Sequence, residues 1–191
     1  MEYSIKMEAI KNITLRNSIS KLIEPHPSAK EMEIVYQAAL RAPDHKSLRP
    51  SHFIEITGKG LDKLSDKFVQ YAKNQFENIT DEKIEKYRKA PYRAPMIIVL
   101  ISDLKQHPKV PEIEQMLSTA AAAQNILLAL NALNYSAIWR TGIFALNDEI
   151  GKYLGLKSNQ KILGYIYVGK PKIKAKKISK IDINDHVIKW H

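Results

Sequence analysis

The stretch at residues 96–101 constrains the fold most strongly, because all six of its residues are apolar: Met, Ile, Ile, Val, Leu and Ile. A continuous apolar run of this length predicts a central strand that is buried on both faces. Such a strand needs strands beside it and helices above and below it. We predict three further strands, at residues 52–57, 136–139 and 162–168.

Helical periodicity accounts for much of the remaining chain. Ser28 and Glu31 have the spacing of a capping box, and apolar residues follow at helical intervals. Pro43 disfavours helix at Ala42, so this helix ends there. The other predicted helices span residues 7–15, 61–76, 81–89 and 112–133, with a last one that Asn147 caps and that ends near residues 154–155.

Residues 22–27 are predicted to form an irregular connector, because the two prolines in this segment cannot share a helix interior. Helices and strands do not alternate as a regular βα repeat, so we assign the chain to the α+β class. Its 191 residues predict a single domain. We expect a core at about residues 7–171 and a basic C-terminal tail at residues 172–191.

The residue inventory excludes several kinds of chemistry. The chain has no cysteine, which excludes disulfides, thiolate catalysis and cysteine-based zinc sites. Its six histidines show no metal-ligand spacing, so we expect no metal site. No apolar run is long enough to span a membrane, and the mixed, charged first residues lack a signal-peptide core. We therefore expect a soluble, cytoplasmic protein.

The net charge of +10 is concentrated near the C-terminus, in a stretch without acidic residues. This stretch carries Lys170, Lys172, Lys174, Lys176, Lys177 and Lys180. Charge alone is compatible with binding of nucleic acid or of an anionic surface. A solvated or partner-covering lysine strip is the simpler interpretation, so we do not expect a nucleic-acid partner.

Two polar clusters in the first quarter of the chain could bind a phosphate-bearing cofactor. Arg16 and Ser18 follow the first helix and can offer a guanidinium and a hydroxyl to one phosphate. The alternative is a surface arginine beside a capping serine. Farther along, the loop after the second helix brings many donors together at residues 41–49. Taken alone, that loop could equally be a polar surface loop with a basic bias.

A third cluster lies at the end of the strand predicted at residues 136–139. Trp139 enters a turn and could pack beside a planar ligand, while Arg140 and Thr141 could donate hydrogen bonds to phosphate or to ring edges. The alternative is a core tryptophan at a strand end. Glycine-rich nucleotide loops and the serine-hydrolase motif are absent from the sequence.

Together these clusters resemble the motifs of the FMN-dependent nitroreductase family, most closely its compact YdjA-type members. Residues 16–20 (Arg-Asn-Ser-Ile-Ser) match the motif after the first helix, and residues 42–51 match the proline-containing loop. Residues 124–129 resemble the central helix, residues 138–140 the following strand, and residues 163–171 the last strand. The resemblance covers nearly the whole expected core.

The resemblance implies a small, mostly antiparallel sheet flanked by helices, in an intertwined homodimer with FMN at the subunit interface. It implies an enzyme in which NADH or NADPH reduces FMN by hydride transfer to N5 and then leaves. A nitroaromatic or quinone-like acceptor is reduced next, in a ping-pong cycle. FMN itself would carry the chemistry. By motif position, the FMN contacts would be Arg16, Asn17, Ser18, Ser20, Arg41, His45, Lys46, Trp139, Arg140 and Thr141.

The chain also departs from the family pattern. Ser20 stands where many relatives have a cation near the N1/O2 edge of the flavin, a role that Lys21 or Lys46 could take instead. In the proline-containing loop at residues 42–51, Ser47, Arg49 and Ser51 also differ from the residues that are common in the family. The departures at Ser20 and Ser51 motivate an alternative function, that of a non-catalytic flavin-binding or sensor protein with the same fold.

Overall fold

A computed structural model describes residues 8–174 and 177–191 of the chain. Six helices occur in these residues: α1 (Ala9–Leu15), α2 (Ala29–Ala39), α3 (Lys59–Gln75), α4 (Asp81–Arg88), α5 (Glu112–Ala132) and α6 (Asp148–Tyr153). The five strands are β1 (Leu22–Ile23), β2 (Ser51–Thr57), β3 (Met96–Asp103), β4 (Ser136–Arg140) and β5 (Gln160–Pro171). Short 3-10 turns lie at His45–Ser47, Pro91–Arg93, Gly142–Phe144 and Ile183–Asp185.

The five strands form one antiparallel sheet in which β3 and β5 are central. The order is β1-β5-β3-β2, and β4 also pairs with β5. Val99 of β3 lies opposite Tyr165 of β5 on one side and opposite Ile54 of β2 on the other. Nearly all of β3 is buried, which confirms the prediction from its apolar sequence. The structure thus has the predicted α+β class and the antiparallel sheet that the family resemblance implies.

Helices cover both faces of the sheet, and side chains of β3 point alternately to the two sides. Val99 belongs to a core cluster that includes Phe68 of α3, whereas Ile98 belongs to a second cluster that includes Val35 of α2 and Ile126 of α5. The central strand therefore joins two hydrophobic layers. β4 pairs with β5 and so extends the sheet. Its last residues lie near the hydrophobic layer that contains Phe68 of α3.

Capping signals in the sequence correctly predicted the starts of α2 and α6. Ser28 and Glu31 form the predicted capping box at the start of α2, and the Asn147 side chain accepts a hydrogen bond from the Glu149 amide at the start of α6. The prediction of an irregular connector at residues 22–27 was wrong at its start, since β1 pairs with the end of β5. Met7, placed in the first predicted helix, lies outside the described residues.

The basic C-terminal segment consists of two different parts. Lys170 belongs to β5, where its Nζ donates to the Asn134 carbonyl at 2.7 Å and lies 3.7 Å from the centroid of the Tyr135 ring. By contrast, the described residues after Pro171 are exposed. Lys176 lies outside the described residues. None of the helices in the part of the chain that the structure describes is long and apolar enough to cross a membrane.

Candidate functional site

The first polar cluster lies directly beside β4. α1 ends at Leu15, and the chain then extends so that Ser18 forms a parallel bridge with Ala137. The Ile19 amide donates to the Ala137 carbonyl at 3.2 Å, which holds this segment against the strand. The guanidinium of Arg16 lies 3.5 Å from the Ser18 hydroxyl, measured from Nη1 to Oγ. The two predicted phosphate donors are therefore neighbours in the folded chain.

The neighbouring predicted residues have different degrees of exposure. Asn17 and Arg16 are half-buried, whereas Ser18 and Ser20 are exposed. Ile19, between the two serines, is buried in the hydrophobic core. Because one apolar side chain anchors the segment, the hydroxyl groups on either side of it stay accessible to a ligand.

Trp139 is held at the other end of β4 by close contact with a glycine. Its indole Nε1 donates to the Leu163 carbonyl at 3.2 Å. A Cβ atom at Gly164 would lie only 2.1 Å from that nitrogen, so no larger residue fits beneath the ring. Gly164 also has a φ of 144°, in the region that favours glycine. Trp139 is half-buried, so it is both a packing residue and a wall accessible to a ligand.

Arg140 and Thr141 line a cavity of about 530 Å³ at the end of β4, which we call the β4 cavity. The Arg140 guanidinium carbon lies 5.7 Å from the centroid of the Tyr167 ring. Its Nε is buried and has no hydrogen-bond partner among the described residues. Aromatic side chains form much of the remaining wall, including Tyr87 and Tyr165. An aromatic cavity with an unsatisfied buried donor suits a planar ligand that carries hydrogen-bond acceptors.

Two tyrosines of the β4 cavity, Tyr165 and Tyr167, are held in the neutral form. Burial raises the pKa of Tyr165, whose hydroxyl donates to the Phe144 carbonyl at 2.7 Å. Burial also raises the pKa of Tyr167, while the nearby positive charges of Arg93 and Arg140 act in the opposite direction. These hydroxyls can therefore serve as hydrogen-bonding groups but not as phenolate bases near neutral pH.

The loop after α2 has a defined shape that its own side chains maintain. Asp44 accepts hydrogen bonds from the amides of Leu48 at 3.0 Å and Arg49 at 2.9 Å. Lys46, Ser47 and Arg49 all have positive φ, at 60°, 53° and 55°. Non-glycine residues seldom adopt this conformation, and three in one loop are associated with functional strain.

The same loop is attached to the N-terminal half of α5. Nδ1 of His45 lies 2.7 Å from a Glu114 carboxylate oxygen, and the Ser118 hydroxyl donates to the Pro43 carbonyl at 2.7 Å. The segment with Arg16 instead follows α1, which is held to the C-terminal half of α5 by a 2.9 Å hydrogen bond from Asn12 to the Leu128 carbonyl.

Two of the three predicted clusters therefore meet within one chain, and the third lies apart. Ser118 and Leu128 are ten residues apart on α5, a rise of about 15 Å along a helix. The loop with the exposed residues Arg41, His45 and Lys46 is anchored at the first of these positions. In a single subunit, only the clusters at residues 16–20 and 139–141 share the edge formed by β4.

Comparison with known proteins assigns this arrangement to a family. Residues 13–170 match the family model described as "Nitroreductase family". The chain is 35% identical over 169 residues to "Putative NAD(P)H nitroreductase YdjA" of Escherichia coli (strain K12), an alignment that covers 88% of this chain and 91% of the relative. The chain belongs to the nitroreductase family.

Solved structures show the same nitroreductase fold. A nitroreductase-like family protein from Bacillus cereus superposes with a TM-score of 0.82 at 21% identity, covering 100% of this chain and 98% of the other. A nitroreductase with bound FMN from Bacteroides fragilis NCTC 9343 superposes with a TM-score of 0.73 at 19% identity, covering 97% and 100%. The family resemblance predicted from the three motifs is thus confirmed.

Sequence reasoning missed part of the cavity wall in this nitroreductase. Lys86 and Tyr87 of α4, and Arg93 of the following 3-10 turn, line the β4 cavity together with Arg140. The available signals were the basic segment at residues 86–93, before the central strand, and the turn that the prolines at 91 and 95 bracket. That signal indicated a turn, but it did not show that the turn lies beside β4.

Proposed function

We propose that this nitroreductase is an FMN-dependent NAD(P)H oxidoreductase that reduces nitroaromatic or quinone-like acceptors in a ping-pong cycle. The main support for the proposal is that the candidate phosphate donors and the residues that could line a ring lie one after the other along β4. The names of its relatives agree with this activity: one is named "Putative NAD(P)H nitroreductase YdjA", and the Bacteroides fragilis protein was solved with bound FMN.

The residues at the edge of β4 fit the two ends of FMN. Arg16 and Ser18 would hold the phosphate through a guanidinium and a hydroxyl, with the Asn17 backbone and Ser20 beside them. Ser18 lies opposite Ala137, and Thr141 is four residues farther, about 13 Å along a strand. This spacing suits an elongated cofactor whose phosphate and ring lie far apart.

The β4 cavity would take the ring end of the cofactor. Trp139 supplies a flat apolar surface, and the buried Arg140 Nε supplies a donor that lacks a partner among the described residues. Thr141 adds an exposed hydroxyl at the end of the strand. When bound, FMN would supply the redox chemistry by accepting hydride from NADH or NADPH and passing electrons to the acceptor. The chain's own residues would orient the ring and donate hydrogen bonds to its polar edge.

We further propose that the working form is an intertwined homodimer. The loop with Arg41, His45 and Lys46 would then reach the FMN site from the second copy, which accounts for its distance from Arg16 within one chain. Exposed apolar side chains on α1 and α5 support such an interface, since Ile10 is 63% exposed and Leu117 is 60% exposed. A second copy would cover these side chains and complete the site.

The proposal is tested first by the absorption spectrum of the purified protein and by a thermal shift on adding FMN. We expect a flavin band, or a raised melting temperature with FMN, followed by bleaching when NADH or NADPH is mixed in without oxygen. A protein that neither contains nor binds FMN would refute the proposed function. A bound flavin that neither donor bleaches would instead favour the non-catalytic, sensor-type function.

A further inference from the structure

Glu114 of α5 contacts the loop after α2 in a different way from the other residues that hold this loop. The Ser118 hydroxyl and the Lys105 ammonium each donate to a backbone carbonyl of the loop. Glu114 instead meets a side chain, since its carboxylate lies 2.7 Å from Nδ1 of His45. The loop is therefore anchored to its surroundings without Glu114, and the contact of Glu114 acts on the His45 imidazole.

The backbone around His45 is held in a strained conformation. His45 begins the 3-10 turn, and the next two residues, Lys46 and Ser47, have φ angles of 60° and 53°. The Ser47 amide donates to the Asp44 carbonyl at 3.1 Å, which closes the turn. Such conformations persist only where the surrounding structure fixes them. Because the backbone is fixed, a carboxylate that holds one nitrogen of the His45 ring also determines where the other nitrogen lies.

The charge of Glu114 determines which nitrogen of His45 carries the proton. Glu114 lies in the first turn of α5, where the positive end of the helix dipole favours a negative charge. An ionised carboxylate can only accept hydrogen bonds, so the proton of this contact lies on Nδ1 of His45. Within residues 8–174 and 177–191, Nε2 on the other side of the ring has no hydrogen-bond partner.

The free nitrogen of His45 is suited to accept a hydrogen bond from a ligand. The His45 side chain is 49% exposed, so a ligand can reach it. With the proton on Nδ1, Nε2 of the neutral ring is an acceptor. FMN offers matching donors in its ribityl hydroxyls and in N3–H of its ring. Without Glu114 both neutral tautomers would be accessible, and the tautomer with the proton on Nε2 cannot accept.

We propose that Glu114 is a positioning residue for the FMN site: its carboxylate holds the proton of His45 on Nδ1, so that Nε2 accepts a hydrogen bond from FMN. This inference rests on the proposed function, in which the loop with His45 reaches the FMN site from the second copy. Glu114 would act on FMN through His45 and would not touch the cofactor itself.

A double-mutant cycle with FMN as the ligand tests the inference. The dissociation constant of FMN is measured from the quenching of flavin fluorescence on binding to the full-length protein. We expect His45→Ala and Glu114→Ala each to weaken FMN binding by about threefold to tenfold, the equivalent of one hydrogen bond. In the His45→Ala background, Glu114→Ala should have no further effect on FMN affinity.

Two further variants separate the contact from the charge of the helix end. Glu114→Gln keeps an acceptor oxygen at the same distance from the backbone, so it should restore most of the affinity that Glu114→Ala loses. Glu112→Ala is the matched control, because Glu112 is exposed in the same helical turn and forms no ion pair in the part of the chain that the structure describes. This control should leave FMN affinity unchanged.

The position of the His45 proton gives a readout that a merely structural contact would not change. Nitrogen NMR distinguishes the two tautomers at a pH where the ring is neutral, and the His45 signals are assigned by their loss in His45→Ala. We expect the Nδ1–H form in the wild-type protein and in Glu114→Gln. In Glu114→Ala we expect a mixture that includes the Nε2–H form.

The outcomes separate this inference from the proposed function. Equal weakening of FMN binding by Glu114→Ala in the wild-type and His45→Ala backgrounds would overturn the inference, because Glu114 would then support the loop and not His45. An Nε2–H form in the wild-type protein would also overturn it, as would an unchanged FMN affinity in either single variant. Those results leave FMN binding by the rest of the site intact. Failure of the wild-type protein to bind FMN would refute the proposed function instead.

Discussion

Replacing Gly164 with alanine should displace Trp139, because the two residues are in direct contact. The new Cβ would lie 2.1 Å from the indole Nε1 and 2.8 Å from the Arg140 carbonyl oxygen. Trp139 would have to move and would lose its 3.2 Å hydrogen bond to the Leu163 carbonyl. The Arg140 backbone cannot move away without disturbing β4, so the strain would remain in the folded protein.

The expected loss of stability follows from two contributions. The lost hydrogen bond costs about 0.5–1.5 kcal/mol, and a non-glycine residue held at a φ that favours glycine costs about 1–3 kcal/mol. We therefore expect Gly164→Ala to lower the free energy of unfolding by about 1.5–4.5 kcal/mol. For a domain of this size, that corresponds to a fall in Tm of about 3–18 °C.

The assay is denaturant unfolding followed by tryptophan fluorescence, in a Trp190→Phe background so that Trp139 is the only reporter. Gly151→Ala is the control, since a Cβ there would meet Leu156 at an ordinary 3.6 Å and alanine favours the helix. A Gly164→Ala protein with the unfolding midpoint and Trp139 emission of the parent would refute the reasoning. We also expect this variant to retain FMN less well.

Three further predictions concern other parts of the chain. Arg16→Ala should weaken FMN binding by about 1.5–3 kcal/mol in equilibrium dialysis, whereas Lys11→Ala on exposed α1 surface should not. Asp44→Ala removes the acceptor of two loop amides, at 3.0 Å and 2.9 Å, and should lower the free energy of unfolding in urea by about 1–3 kcal/mol. An unchanged urea midpoint would show that the loop keeps its shape without the Asp44 carboxylate. Burial opposes ionisation of Glu31, but hydrogen bonds from Ser28 lower its pKa below 4.5. The ionised Glu31 carboxylate therefore contributes its full stabilisation above about pH 4.5, and this contribution is lost as the pH falls through the lowered pKa. Glu31→Gln should accordingly make stability depend less on pH below about 4.5 in acid unfolding.

Local sequence patterns determined most of the secondary structure. The apolar run at residues 96–101 specified a strand buried on both faces, because no other environment covers six consecutive apolar side chains in an extended chain. Ser28 and Glu31 defined the start of α2 through capping, which acts within a few residues, whereas the helix ends at Ala39, before the limit at Ala42 that Pro43 predicted. The three motifs also carried enough information to identify the family.

The tertiary structure decided which polar groups meet. β1 was not predicted because two residues carry no periodic signal, and its strand exists only through pairing with β5. The positive φ angles of the loop that Asp44 holds were likewise not evident from composition. Arg93 was missed because it reaches the β4 cavity through the pairing of β3, which follows it, with β5, and these two strands are far apart in sequence. Sequence thus determined what depends on neighbours along the chain, whereas the charge and shape of the β4 cavity depend on long-range packing.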